Sequence, residues 1–190
     1  MFGDKFATRL NSFASKPEIF WGQTIPPLAP ERLVERAATV RGLTDLDLNF
    51  PDHAGKNLNN IINCVKNNGL QVNGFAMRYY TNPSFKLGAF TNPDKKVRQE
   101  AIDLTKKGID AARESNSNLM TIWLGQDGYD YGFQVDYKKI WQDEIDGIRE
   151  VALHDKDCKI SIEYKPNEPR AYSLLANLPL TLLAINEIDL

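Results

Sequence analysis

The sequence predicts an α/β fold, a parallel sheet made of five strands that alternate with five helices. Short runs alternate apolar and polar residues with period two, and the stretches between them carry apolar residues at helical spacing. No repeat, low-complexity tract or linker divides the chain, so residues 1–190 form one domain. With 42% apolar and 25% charged residues, the composition is that of a globular protein able to bury one core.

The first strand is expected around Phe6–Phe13 and is followed by a Pro-rich connection through Pro17, Pro26, Pro27 and Pro30. Glu31–Arg41 reads as a helix with Leu33, Val34, Ala37 and Ala38 on one face and Pro30 at its first turn. Leu43–Phe50 alternates as a strand. Lys56–Asn68 is the clearest helix, with Leu58, Ile61, Ile62 and Val65 at i, i+3, i+4 and i+7 and Gly69 as its stop. A strand over Leu70–Met77 leads into the long loop RYYTNPSFKLGAFTNPD, after which Asn92-Pro93 opens a helix to about Ser115. Leu119–Leu124 is the fourth strand, and the Gly-rich loop GQDGYDYG leads to Asp136 as N-cap of a helix over Tyr137–His154. Cys158–Tyr164 is the fifth strand, and Arg170–Ile185 the fifth helix, with Pro179 as a candidate break.

The strands also place polar side chains on one face. In the fifth, Lys159, Ser161, Glu163 and Lys165 share a parity opposite to Cys158, Ile160, Ile162 and Tyr164. In the second, Asp45, Asp47 and Asn49 oppose Leu46, Leu48 and Phe50, and near the start Arg9 and Asn11 behave alike. An open doubly wound sheet buries two apolar faces. The pattern suits either a barrel, whose inward side chains turn polar near the mouth, or edge strands with one wet face.

A formal charge of −2 and a pI near 5.7 argue against a duplex-binding surface, which needs clustered Lys and Arg. No apolar run approaches the roughly 18 residues needed to cross a bilayer. The N-terminus has no secretory pattern, and Cys64 and Cys158 have no zinc or CxxC spacing. They read as reduced thiols of a cytoplasmic protein.

The sharpest local motif is SIEYKPNEPRAYS, Ser161 to Ser173. Glu163 and Lys165 lie two apart at the end of a strand and point the same way. A carboxylate there can ligate a hard cation and the ammonium can stabilise a developing oxyanion, or the two can simply belong to ion pairs at the mouth. EYKPNEPR closely resembles the run after the fifth barrel strand of xylose isomerases. YYTNPSFKLGAFTNPDKKVRQEAI resembles the family's loop after strand three, and TIWLGQDGYDY its fourth-strand end. The resemblance covers about Met77–Ser173, and the first 70 residues only in general pattern.

The resemblance implies an α/β fold of TIM-barrel type, with about five of eight (β/α) units present: an incomplete barrel, C-terminally truncated. Its 190 residues are about 60 fewer than a typical barrel of roughly 250. It further implies an aldose–ketose sugar isomerase that binds divalent cations (Mg²⁺, Mn²⁺ or Co²⁺) and runs a metal-assisted hydride shift between C1 and C2. On that resemblance Glu163 is a metal ligand and Lys165 the catalytic hydrogen-bond donor to the sugar's carbonyl oxygen. Trp123 walls the substrate pocket, Tyr80 packs on the sugar, and Glu168 and Arg170 brace the metal loop, unless they pair with each other. The implied partner is a small-molecule sugar, with neither nucleic acid nor membrane, and a homo-oligomer stays open.

Two departures qualify it. Asn49 stands where the family has a histidine that assists ring opening, and His53 is either its replacement after a loop shift or a surface residue. The expected ligands of strands six to eight are also missing, leaving Glu163 as the one metal carboxylate, so this chain alone is expected to be inactive. The alternatives are a non-catalytic fragment or assembly subunit of the family, and a metal-dependent DNA-repair endonuclease relative. The acidic pI and the EYKPNEPR run oppose the last.

Overall fold

Five strands pair side by side in the order β1-β2-β3-β4-β6, every contact parallel. They belong to a computed structural model that describes residues 5–20 and 28–189. Pro26 and Pro27 of the expected Pro-rich connection lie outside the described residues. The elements run β1 (Ala7–Arg9), a 3₁₀ turn (Leu10–Ala14), α1 (Pro17–Phe20), α2 (Pro30–Ala37), β2 (Asp45–Phe50), α3 (Leu58–Asn67) and β3 (Gln71–Met77). After a second 3₁₀ turn (Pro83–Phe85) come α4 (Lys95–Glu114), β4 (Leu119–Ile122), β5 (Gly128–Tyr129), α5 (Tyr137–His154), β6 (Lys159–Ile162), β7 (Tyr172–Ser173) and α6 (Leu178–Ile188). The parallel strands alternating with helices are a partial (β/α)₈ barrel.

The helices pack on one face of the sheet. Leu46, Leu48, Phe75, Met77, Met120 and Ile122 meet Val34, Ile61, Val65, Ile109, Ala112 and Ile145 in a single buried cluster. The opposite parity forms a polar band. Arg9 stands beside Asp47, Asn49 beside Ala76, Ala76 beside Thr121, and Thr121 beside Ser161.

The curl of the sheet is recorded by one contact. β1 and β6 are its two edges, four strand spacings apart, or about 19 Å along a flat sheet. Yet Arg9, ending β1, and Glu163, just after β6, form an ion pair at 2.6 Å. The polar face is therefore concave, and of the two readings of the strand polarity the barrel is the one realised.

The short elements α1, β5 and β7 add to the expected set, α2 ends at Ala37 rather than Arg41, and three further elements start or stop elsewhere than expected. The first strand stops at Arg9 because Leu10–Ala14 turns into a 3₁₀ helix that buries Leu10. The α4 cap is Asp94, whose side chain accepts from the Lys96 N–H at 2.8 Å, while Asn92 accepts from the Asp94 N–H one step earlier. The last helix begins at Leu178 rather than Arg170, with Asn177 accepting from the Leu180 N–H and Pro179 in the first turn, where its missing N–H costs nothing. In place of its expected first turns the chain forms β7 (Tyr172–Ser173), which pairs antiparallel with β5.

Candidate active site

Chemistry-bearing side chains collect where β2, β3, β4 and β6 end, at the carboxyl mouth of the concave face. After β2 the chain turns through Pro51 and Asp52, and the Asn49 N–H donates to His53 Nδ1 at 3.0 Å. That bond makes Nδ1 the acceptor and leaves the proton on Nε2. Burial holds the His53 pKa down to about 4, with the Arg78 charge acting in the same direction and Asp52 opposing. The histidine is thus neutral at neutral pH, and it is joined to Asn49 rather than being an isolated surface group.

Asn49 is itself almost fully buried. In the amide orientation that satisfies its neighbours, its Oδ1 accepts from Arg78 Nε and Nη2 at 2.9 Å each. Arg78 directly follows β3 and continues the inward parity of Ala76. Its guanidinium carbon lies 4.9 Å from the centre of the Tyr80 ring. Tyr80 meets Trp123 edge-to-face, with ring centres 5.4 Å apart, and Lys165 Nζ lies 5.4 Å from the centre of the Trp123 ring. Trp123 can lie across its own loop because Gly125 has no side chain, since a Cβ there would come within 2.6 Å of the indole.

One connected line therefore runs His53, Asn49, Arg78, Tyr80, Trp123, Lys165. It includes all four residues expected to contact substrate, together with the expected catalytic lysine. Arg78 links them, and nothing in the sequence singled it out beyond its position one residue past a strand.

The EYKPNEPR segment closes the line. Lys165 pairs with Glu168, and that hydrogen bond holds the Glu168 carboxyl below the usual range. Arg170 does not pair with Glu168. Its Nη1 reaches Asp130 at 2.6 Å and its Nε donates to the Gln126 carbonyl at 3.2 Å, tying the loop after β6 to the loop after β4. Asp127, fully buried beside them, accepts from the Ala89 N–H, the Thr91 N–H and the Thr91 hydroxyl, the last at 2.7 Å. Burial pushes its carboxyl upward and these bonds counter it. Asp127 thus pins the loop after β3, and it comes from the acidic Gly-containing turn that the sequence marked only as a motif.

Glu163 faces the same mouth, but its carboxylate is engaged by Arg9. Among the described residues, no group of three or more Asp, Glu, His or Cys side chains is arranged to hold a metal ion. Mg²⁺ takes about six oxygens, so one carboxylate already paired with an arginine does not fit the expected ion. Both cysteines are free thiols. Among the described residues, no helix is long and apolar enough to cross a membrane.

The partial barrel and its mouth define a class of protein, the α/β barrels that present polar side chains at their strand ends. No protein-family model matches the chain. Over 125 residues it is 28% identical to the xylose isomerase of Thermus thermophilus, a match that takes in 64% of this chain and 32% of that protein. Among solved structures, it superposes on the D-psicose 3-epimerase of Clostridium cellulolyticum H10 with a TM-score of 0.67 at 17% identity, covering 98% of this chain and 60% of that one. A Sinorhizobium meliloti 1021 protein gives 0.69 at 17% identity with the same coverage. An L-ribulose 3-epimerase gives 0.64 at 16% identity over 84% of this chain and 51% of that one. The sequence likeness is thus to a xylose isomerase, and the superpositions show that the chain shares the barrel fold of these solved structures. The chain spans about a third of the length of the curated relative and 60% or less of these solved structures.

Proposed function

We propose that the chain, as one partial-barrel domain, carries the sugar-binding side of an isomerase or epimerase site, with Lys165 as its polarising donor. The observation behind this reading is the unbroken line from Asn49 to Lys165 across the ends of β2, β3, β4 and β6. Trp123 and Tyr80 give an apolar wall for the C–H face of a sugar and keep water from the reacting carbons. One hydrogen of the Lys165 ammonium goes to Glu168, which leaves donors for a carbonyl oxygen. In aldose–ketose isomerisation the C2 hydrogen moves to C1 with its electron pair, and the O2 proton passes to O1. Lys165 stabilises the negative charge that builds on the carbonyl oxygen meanwhile. The divalent ion implied by the family resemblance would add Lewis-acid polarisation of the sugar oxygens, but Glu163 alone, paired with Arg9, does not fit it.

The test is sugar binding followed by the intrinsic tryptophan fluorescence that Trp123→Phe removes, together with label retention during any turnover. C2-deuterated aldose is expected to keep its deuterium at C1, and Lys165→Met to cut any turnover by on the order of 100-fold while changing sugar affinity less. No sugar binding by the parent chain, or a Lys165→Met variant that binds and turns over sugar as the parent does, would overturn the assignment, whereas deuterium washed out into solvent would replace the hydride shift by proton transfer at the same site.

A further inference from the structure

The cations of the mouth are not equivalent. Arg9 is neutralised by Glu163 at 2.6 Å, Lys165 by Glu168, and Arg170 by Asp130 at 2.6 Å. Arg78, among the described residues, forms no ion pair. Its two fixed contacts are the Asn49 amide oxygen and the Tyr80 ring, and neither carries a formal charge. Asp52, the acidic residue of the loop after β2, accepts instead from the Thr81 hydroxyl at 3.3 Å.

The same contacts leave the arginine ready for a ligand. Of the five guanidinium N–H donors, Asn49 takes two. The other three are unspent, and the plane is already oriented by the amide and the ring. A guanidinium in this state matches an oxyanion in geometry as well as charge. A neutral sugar seated in the mouth would displace water from the cation and return no charge, whereas an anionic one offsets that loss.

We infer that Arg78 is the anion-recognising group of this site, and that the sugar it takes carries an oxyanion, either the carboxylate of an acidic sugar or a phosphate ester. The inference rests on the sugar-site reading and narrows its substrate class. Asn49 is then a positioning residue for Arg78, which gives its place at the strand end a purpose other than assisting ring opening.

The test titrates the full chain with D-glucose, D-glucuronate, D-glucose 6-phosphate and inorganic phosphate at fixed ionic strength. At least one charged sugar is expected to bind tenfold or more tightly than D-glucose. Arg78→Gln should erase that preference, and Arg78→Lys, which keeps the charge but not the fork, should retain only a minor part of it. If a variant does not fold, the parent still decides the matter, because the preference must weaken as salt rises. Preference for glucuronate identifies a carboxylate. Preference for glucose 6-phosphate, with competition by inorganic phosphate, identifies a phosphate ester. Charged and neutral sugars binding within threefold of each other would overturn the inference and leave the sugar site standing. A preference that survives Arg78→Gln would overturn it equally. Arg78-dependent binding of inorganic phosphate with no sugar bound would instead overturn the sugar reading and keep the anion site. Binding of none of the four overturns both.

Discussion

Partly buried His53 and fully buried Glu144 set opposite pH dependences. His53 is neutral because burial outweighs the attraction of Asp52 and holds its pKa at about 4, against 6.5 ordinarily. Between those values the unfolded chain takes up a proton that the folded chain refuses, so stability falls as the pH drops through the window. The loss is complete below about pH 4 and amounts to on the order of 2–3 kcal/mol. Urea midpoints between pH 7 and 4 should show it, and His53→Asn should flatten the slope. Glu144, on α5, has no exposed surface, and neither carboxyl oxygen has a hydrogen-bond partner among the described residues. Burial, and then the charge of Asp127, pushes it well above the usual carboxyl range. Above pH 4.5 the unfolded chain releases this proton and the folded chain keeps it, so here stability falls as the pH rises. Glu144→Met is expected to gain roughly 1–3 kcal/mol at pH 7 and less at pH 4.5, readable as a shift in melting temperature.

At the level of elements, the parallel strands and their helices follow from periodicity, and the short antiparallel ladder between β5 and β7 does not. Two residues a side are too few for any period, and the partners lie in loops after different strands. For the same reason Arg170–Ser173 read as helix: local apolar spacing suits one, but Arg170 is drawn to Asp130 and Tyr172-Ser173 to Gly128-Tyr129. The ladder depends on Gly128, whose φ of +154° favours glycine and whose missing Cβ would otherwise meet the Tyr172 carbonyl oxygen at 2.0 Å. Gly128→Ala should therefore separate the two loops and cost roughly 2–4 kcal/mol. Loss of amide protection at the Leu174 N–H, which donates to the Asp127 carbonyl, would report the separation directly.

On the scale of the whole molecule, the curled sheet leaves the outer sides of its two edge strands, β1 and β6, without a further strand among the described residues. Beside β6, a cavity of about 490 Å³ is lined by Ile148, Cys158, Ile160, Ile162 and Ile185, and Leu178, Leu182 and Leu183 of α6 are exposed. The Arg9–Glu163 pair crosses the mouth between the edges, with side chains 32% and 45% exposed, so solvent screens most of its attraction. A double-mutant cycle with Arg9→Gln and Glu163→Gln should give a coupling under about 1 kcal/mol that shrinks as salt rises. A coupling of several kcal/mol would mean that the curl of the sheet depends on this contact rather than on core packing.

Alternation and helical spacing are properties of neighbouring residues, so the order of elements, their apolar faces and the inward parity of Asn49, Glu163 and Lys165 are already present in the chain as written. The motifs add Trp123 and Tyr80 as separate candidates, and the fold is what brings their rings edge-to-face. Which charges pair is a different kind of fact. Arg9 and Glu163 are 154 positions apart and come together only because the sheet curls. Arg78 gains its role from an amide on one neighbouring strand end and a ring in its own loop. Glu168 turns to Lys165 while Arg170 turns to Asp130, because loop geometry, not spacing along the chain, decides which opposite charge is nearest.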